Sequence, residues 1–145
     1  MWRIVTILII LTGCEPRSSS SPPALEEKHV PHLEDNVLPK VFAAIRLVET
    51  GGHPDPYSAR GAAGELGPCQ ITRAYYEDAI EHDKSLTGIE FEGVRDSHIA
   101  RLIMMAYFDR YATEFTAEEL CRLHNGGPSK QYTDDYWHKC EQLIK

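Results

Sequence analysis

The sequence predicts a mainly α domain, a helical body interrupted by one Gly-rich segment with room for a loop or short hairpin. Three observations lead there. Apolar residues recur at helical spacing in several segments. The segment 51–69 holds five glycines and three prolines and cannot be regular helix. Outside that segment no convincing alternating strand pattern occurs.

The first helix is expected over Asn36–Thr50, where Val41, Phe42, Ile45 and Val48 would face a core and Gly51-Gly52 would act as the stop. The Gly-rich segment follows, with room for a short hairpin. A second helix is expected from Thr72, a plausible N-cap, to about His82, and a loop over Lys84–Glu92. Val94–Tyr111 reads as the longest helix, offering Ile99, Leu102, Ile103, Ala106 and Phe108 to the core. Thr116 would open a fourth helix, with Glu118 and Glu119 near its positive end and Asn125-Gly126-Gly127-Pro128 closing it. A last helix is expected from Thr133 to about Leu143.

The N-terminus has a different character. Met1-Trp2-Arg3 is a short basic start, and Ile4–Leu11 is apolar except for Thr6. The run is too short to span a bilayer, which takes about twenty residues, and fits the apolar region of a secretion signal. Leu11-Thr12-Gly13-Cys14 resembles a bacterial lipobox, in which Cys14 becomes lipid-modified. The expected organisation is therefore a signal at 1–13, a lipid-anchored disordered tether at 14–35 rich in Ser and Pro, and a folded domain at 36–145. Glu15 stands where Asp would retain a lipoprotein at the inner membrane. The expected location is thus the periplasmic side of the cell envelope, at the outer membrane.

The chain of 145 residues carries a net charge of -7 and no basic cluster, which argues against a nucleic-acid partner. No cofactor and no metal site is expected; zinc binding by the cysteines is a weak alternative, since no Cys-x-x-Cys spacing occurs. With Cys14 assigned to lipid, Cys69, Cys121 and Cys140 remain. Cys121 and Cys140, on the expected last two helices, are the preferred disulfide candidates in an exported domain. The domain is expected to be a monomer.

Glu49 is the outstanding candidate for chemistry. It lies four residues after Ile45 and seven after Phe42, so it projects from the apolar face of the first helix. A carboxylate pressed against an apolar face loses solvation and keeps its proton more readily, which suits a general acid. The bland alternative is a solvated Glu in a last helical turn.

Three further segments order themselves after Glu49. They are Gly61-Ala62-Ala63-Gly64, Glu65-Leu66-Gly67-Pro68-Cys69-Gln70-Ile71 and Leu123-His124-Asn125-Gly126-Gly127-Pro128. Their order resembles the lysozyme-like superfamily, an α+β fold whose catalytic Glu ends a helix before a Gly-rich lobe closing in Gln-Ile. Glu49-Thr50-Gly51-Gly52, with Pro54, Ser58 and Gly61–Gly64, is similar to the opening of lytic transglycosylase domains, but the stretch up to Gln70-Ile71 is three residues longer here. Gly67–Ile71, Ala74–Asp78, Arg122–Pro128, Thr133 and Tyr136-Trp137 are similar to invertebrate-type lysozymes. The second catalytic Asp of that family has no counterpart, since its place falls near Ala59 and Arg60, and most of that family's cysteines are missing.

The resemblance implies an enzyme that cleaves the β-1,4 bond between N-acetylmuramic acid and N-acetylglucosamine in peptidoglycan glycan strands. Glu49 would be the general acid, with Glu65 as the available second carboxylate and Asp55 as a weaker candidate. Gln70, Tyr75, His124, Asn125 and Gly126 would bind sugar, with packing as the rival role for Tyr75 and His124. Three alternatives stay open: a lytic transglycosylase giving 1,6-anhydro-muramyl products, a non-catalytic wall-binding lipoprotein, and a chitinase-like enzyme on the same fold.

Overall fold

The computed structural model describes residues 37–145 apart from Gly52 and Pro54. The expected signal at 1–13, Cys14 and the tether at 14–35 lie outside the described residues. Five α-helices make the body: α1 (Val37–Thr50), α2 (Arg73–His82), α3 (Ser97–Tyr111), α4 (Ala117–Gly126) and α5 (Asp134–Ile144). α1 packs on α5 and α4, α4 on α5, and α2 on α3. The mainly α reading of the sequence holds.

Side-chain caps set most of the boundaries. Thr72 accepts from the Tyr75 amide at 3.2 Å and starts α2. Thr116 takes the Glu119 amide at 3.2 Å and starts α4. Asp96 takes the amides of His98 and Ile99 at 2.8 and 3.0 Å. That last cap corrects the expected start of the longest helix. The Asp96 carboxylate satisfies amides that a continuous helix would leave to backbone carbonyls, so Phe91–Arg95 winds as a separate 3₁₀ turn. Part of the expected loop, Lys84–Leu86, is a second 3₁₀ turn.

The core is one cluster. Val41, Phe42, Ala44 and Ile45 of α1 meet Ile103, Met104, Tyr107 and Phe108 of α3 and Leu120, Cys121 and Leu123 of α4. Phe42 and Phe108 stack with ring centroids 6.4 Å apart. Leu102, expected in the core, is 37% exposed. The buried stripe of α3 runs through Ala100, Ile103, Met104, Tyr107 and Phe108, and Leu102 falls beside it.

The lobe contains isolated antiparallel bridges, Arg60 with Leu66 and Leu66 with Ile71, and no longer strand among the described residues. Leu66 and Ile71 exchange both backbone hydrogen bonds at 3.0 Å and close a tight turn. Gly67 has φ +74, and a Cβ there would strike the Val94 carbonyl, so the turn rests directly on the backbone of the 3₁₀ segment.

The expected disulfide is not formed. Cys69, Cys121 and Cys140 are all buried free thiols. Cys121 and Cys140 do meet where α4 packs on α5, and that contact, together with burial, pushes the Cys121 thiol up. Each serves as a small core residue, a role that a reduced thiol fills without cross-linking.

Candidate active site

Glu49 sits in the last turn of α1, where the apolar stripe of Phe42 and Ile45 runs out toward the lobe. Its side chain is 20% exposed, enough to reach a ligand while being largely withdrawn from water. Tyr136 of α5 donates to Glu49 Oε1 at 2.7 Å. His124 of α4 brings Nε2 to 3.5 Å from the same oxygen and to 3.0 Å from the Cys69 carbonyl. Nε2 thus faces two acceptors and is placed to donate, while Nδ1 is buried without a partner. α1, α4, α5 and the 66–71 turn thus converge on one carboxylate.

Around it lies an open cleft of about 240 Å³ between the helical body and the lobe, lined by Glu49, Glu65, Gln70, His124 and Asn125 together with Gly61, Ala62 and Thr72. The sequence-derived candidates Glu49, Glu65, Gln70, His124 and Asn125 are therefore brought together. Glu65 is held in place by the Ala63 amide, which donates to its Oε2 at 3.0 Å. The Gln70 amide donates to the Gly67 carbonyl at 2.8 Å. Gly61 is required here for space, since a Cβ would run into the Glu65 carboxylate and the Gln70 side-chain oxygen.

Two candidates are corrected. Tyr75 is buried and does not line the cleft. It stacks on Tyr107 with ring centroids 3.7 Å apart and meets the His124 ring edge-on at 5.5 Å. Burial, then the neighbouring Tyr107, pushes its phenol up. Tyr75 is a packing residue that braces His124, because its position in α2 faces the core rather than the lobe. Gly126 is also outside the cleft lining. A Cβ there would collide with Thr133, so the glycine serves the close approach of α4 to the turn before α5. Asp55, the weaker carboxylate, is exposed and accepts from the Tyr57 and Ser58 amides at 3.2 and 3.3 Å, forming its own turn. Near the vacant Asp position, Arg60 pairs with Glu92 at 3.9 Å.

Two residues were not singled out from the sequence. Thr72 lines the cleft beside its capping role. Tyr136 was visible only as part of a Tyr-Trp pair. The available signal was that a tyrosine on the inner face of the last helix must find a partner for its hydroxyl. Burial first, and then the Glu49 charge, pushes the Tyr136 phenol well above its ordinary range, so it remains a donor. Among the described residues no three His, Cys, Asp or Glu side chains converge to hold a metal ion.

Compared with known proteins, the sequence matches no protein-family model and no curated protein. Solved structures do match. A chain of the crystal structure of Aeromonas hydrophila PliI in complex with Meretrix lusoria lysozyme superposes with TM-score 0.60 at 23% identity, over 72% of this chain and 88% of that one. The lysozyme of Tapes japonica superposes with TM-score 0.55 at 25% identity, over 72% of this chain and 85% of that one. The helical body, the small lobe and the cleft between them make this a lysozyme-like fold.

Proposed function

We propose that the protein is a peptidoglycan-cleaving glycosidase that cuts the β-1,4 bond between N-acetylmuramic acid and N-acetylglucosamine. The carrying observation is Glu49, withdrawn from water, held by Tyr136 and opening onto a cleft that Glu65, Gln70 and Asn125 also line. Glu49 protonates the glycosidic oxygen as the bond breaks, leaving an oxocarbenium-like sugar. Glu65, anchored by the Ala63 amide, supplies the negative charge that stabilises that cation or activates water. Gln70 and Asn125 hydrogen-bond sugar. The likeness to Tapes japonica lysozyme supports the reading.

The test is digestion of purified cell wall by wild type and Glu49→Gln. Soluble muropeptides from the wild type and none from the variant are expected, with both proteins folded. Equal release by the two defeats the assignment.

A second reading has its own support. Ala59 and Arg60 offer no carboxylate where invertebrate-type lysozymes carry their Asp, and Gly61–Gly64 matches the transglycosylase pattern. The sugar's own 6-hydroxyl would then close an anhydro ring. Mass spectrometry of the products separates the two, because anhydro ends lack one water. The fixed Glu65 favours hydrolysis. The remainder of the proposal is cellular: a lipid on Cys14 would tether the enzyme at the periplasmic face of the outer membrane.

A further inference from the structure

One helical turn before Glu49, a second and smaller cavity of about 90 Å³ lies between α1 and the start of α3. It is lined by Phe42, Ala43, Arg46, Cys69, Ser97 and Arg101 and shares none of them with the Glu49 cleft. Neither Arg46 nor Arg101 forms an ion pair among the described residues. Arg101 lies over the Phe42 ring at 5.6 Å, which fixes its guanidinium at the cavity wall. The Ser97 hydroxyl is buried with no hydrogen-bond partner. An orphaned buried hydroxyl beside two unpaired cations calls for an acceptor with negative charge.

Among the described residues no carboxylate lines the cavity. Burial, reinforced by the Glu49 charge, pushes the Cys69 thiol up to about 12 even though Arg101 and Arg46 pull the other way. Cys69 is therefore a neutral floor to the cavity. Phe42, Ala43 and Cys69 give the rest of the wall an apolar character that a fully polar anion leaves unused. A carboxylate attached to a methyl-sized side chain matches both halves: its oxygens meet the guanidiniums and the Ser97 hydroxyl, and its methyl meets Phe42 and Ala43.

We propose that this cavity is a carboxylate subsite for the alanine end of a wall peptide. This identity of the occupant rests on the glycan-cleaving reading above. Wall peptides hang from muramyl sugars and end in alanine carboxylates. Arg46 is three residues from Glu49, roughly 4.5 Å along the helix axis, within reach of a peptide on a sugar next to the cut. The subsite would select glycan that still carries its peptides.

The experiment is calorimetric titration of the whole protein with N-acetyl-D-alanyl-D-alanine, its carboxamide and inorganic phosphate. The acid is expected to bind, and the carboxamide to bind at least roughly tenfold more weakly, the worth of a lost charge-assisted hydrogen bond. Arg46→Gln with Arg101→Gln should produce the same loss, and Ser97→Ala a smaller one. Both arginines are exposed, so these variants should fold, and circular dichroism checks that independently. Equal binding of acid and carboxamide, or binding indifferent to both arginines, overturns the subsite. Phosphate bound more tightly than the dipeptide overturns the peptide occupant in favour of a phosphate-bearing polymer. Arginine-dependent dipeptide binding by a wild type that cleaves no glycan overturns the glycan reading and leaves the carboxylate subsite standing.

Discussion

The hydroxyl of Tyr136 and the carboxylate of Glu49, 87 residues apart in the chain, share a 2.7 Å hydrogen bond in which the phenol donates. It fixes one oxygen of the candidate acid and leaves the other for the substrate. Tyr136→Phe removes the donor and keeps the ring. The expected result is a folded protein whose kcat falls roughly ten- to a hundredfold, because the phenol's bond strengthens as Glu49 gives up its proton and becomes charged. Steady-state kinetics on soluble glycan oligomers checks it. An unchanged kcat would show that α1 alone orients Glu49.

Gly61 predicts a different signature. Gly61→Ala places a methyl where the Glu65 carboxylate and Gln70 side chain now sit. Neither neighbour is in the core, so thermal stability should fall little. Cleft chemistry should suffer, with kcat/KM down by roughly tenfold or more through misplaced groups. A melting curve alongside the kinetics separates this from unfolding.

Glu119 governs acid stability. It is buried, and its oxygens accept from the amides of Thr113, Glu114 and Phe115 and from Lys130 Nζ. Burial acts to raise this carboxyl, but the bonds from Lys130, Thr113 and Glu114 outweigh it and hold it down at about 2, against 4.5 normally. A depressed carboxyl stabilises the fold above its unfolded value and loses that contribution as pH falls toward the folded one. The contribution, about 3 kcal/mol, should therefore be complete above pH 4.5 and fade between about 4.5 and 2. Urea titrations of wild type and Glu119→Gln at several pH values should show a gap that closes over that window. A gap independent of pH would assign the loss to packing.

Cys121 and Cys140 meet as fully buried thiols, so oxidised glutathione should join them only when denaturant opens the fold, with two reduced glutathiones released and two hydrogens lost from the protein. Peptide mapping by mass spectrometry checks the link. Cys69, isolated and pushed up to about 12 chiefly by burial, should stay unmodified in the folded protein.

Much of this molecule was legible in its residues because the signals were local. Thr72 and Thr116 announced their helices as caps, Gly51 and Gly127 announced stops, and Glu49 lay on a helical face that could be counted. The ordered motifs brought Glu65, Gln70, His124 and Asn125 to the same cleft. What stayed hidden depended on partners distant in sequence. Asp96 split an apparently continuous helix because its carboxylate competes for amides that periodicity cannot see. Tyr75 stood between sugar contact and packing, and only the position of Tyr107 on α3 decided for packing. Tyr136 had no motif of its own, since its partner lies at the far end of the domain.

That last contact ties competence to the order of synthesis. Glu49 and the cleft lining are complete once α4 has been made, but the hydroxyl that anchors the acid arrives only with α5. A nascent or clipped chain ending before Tyr136 would bear the carboxylate without its anchor. Under the proposed function, full activity would then report that the final helix has been translated and docked.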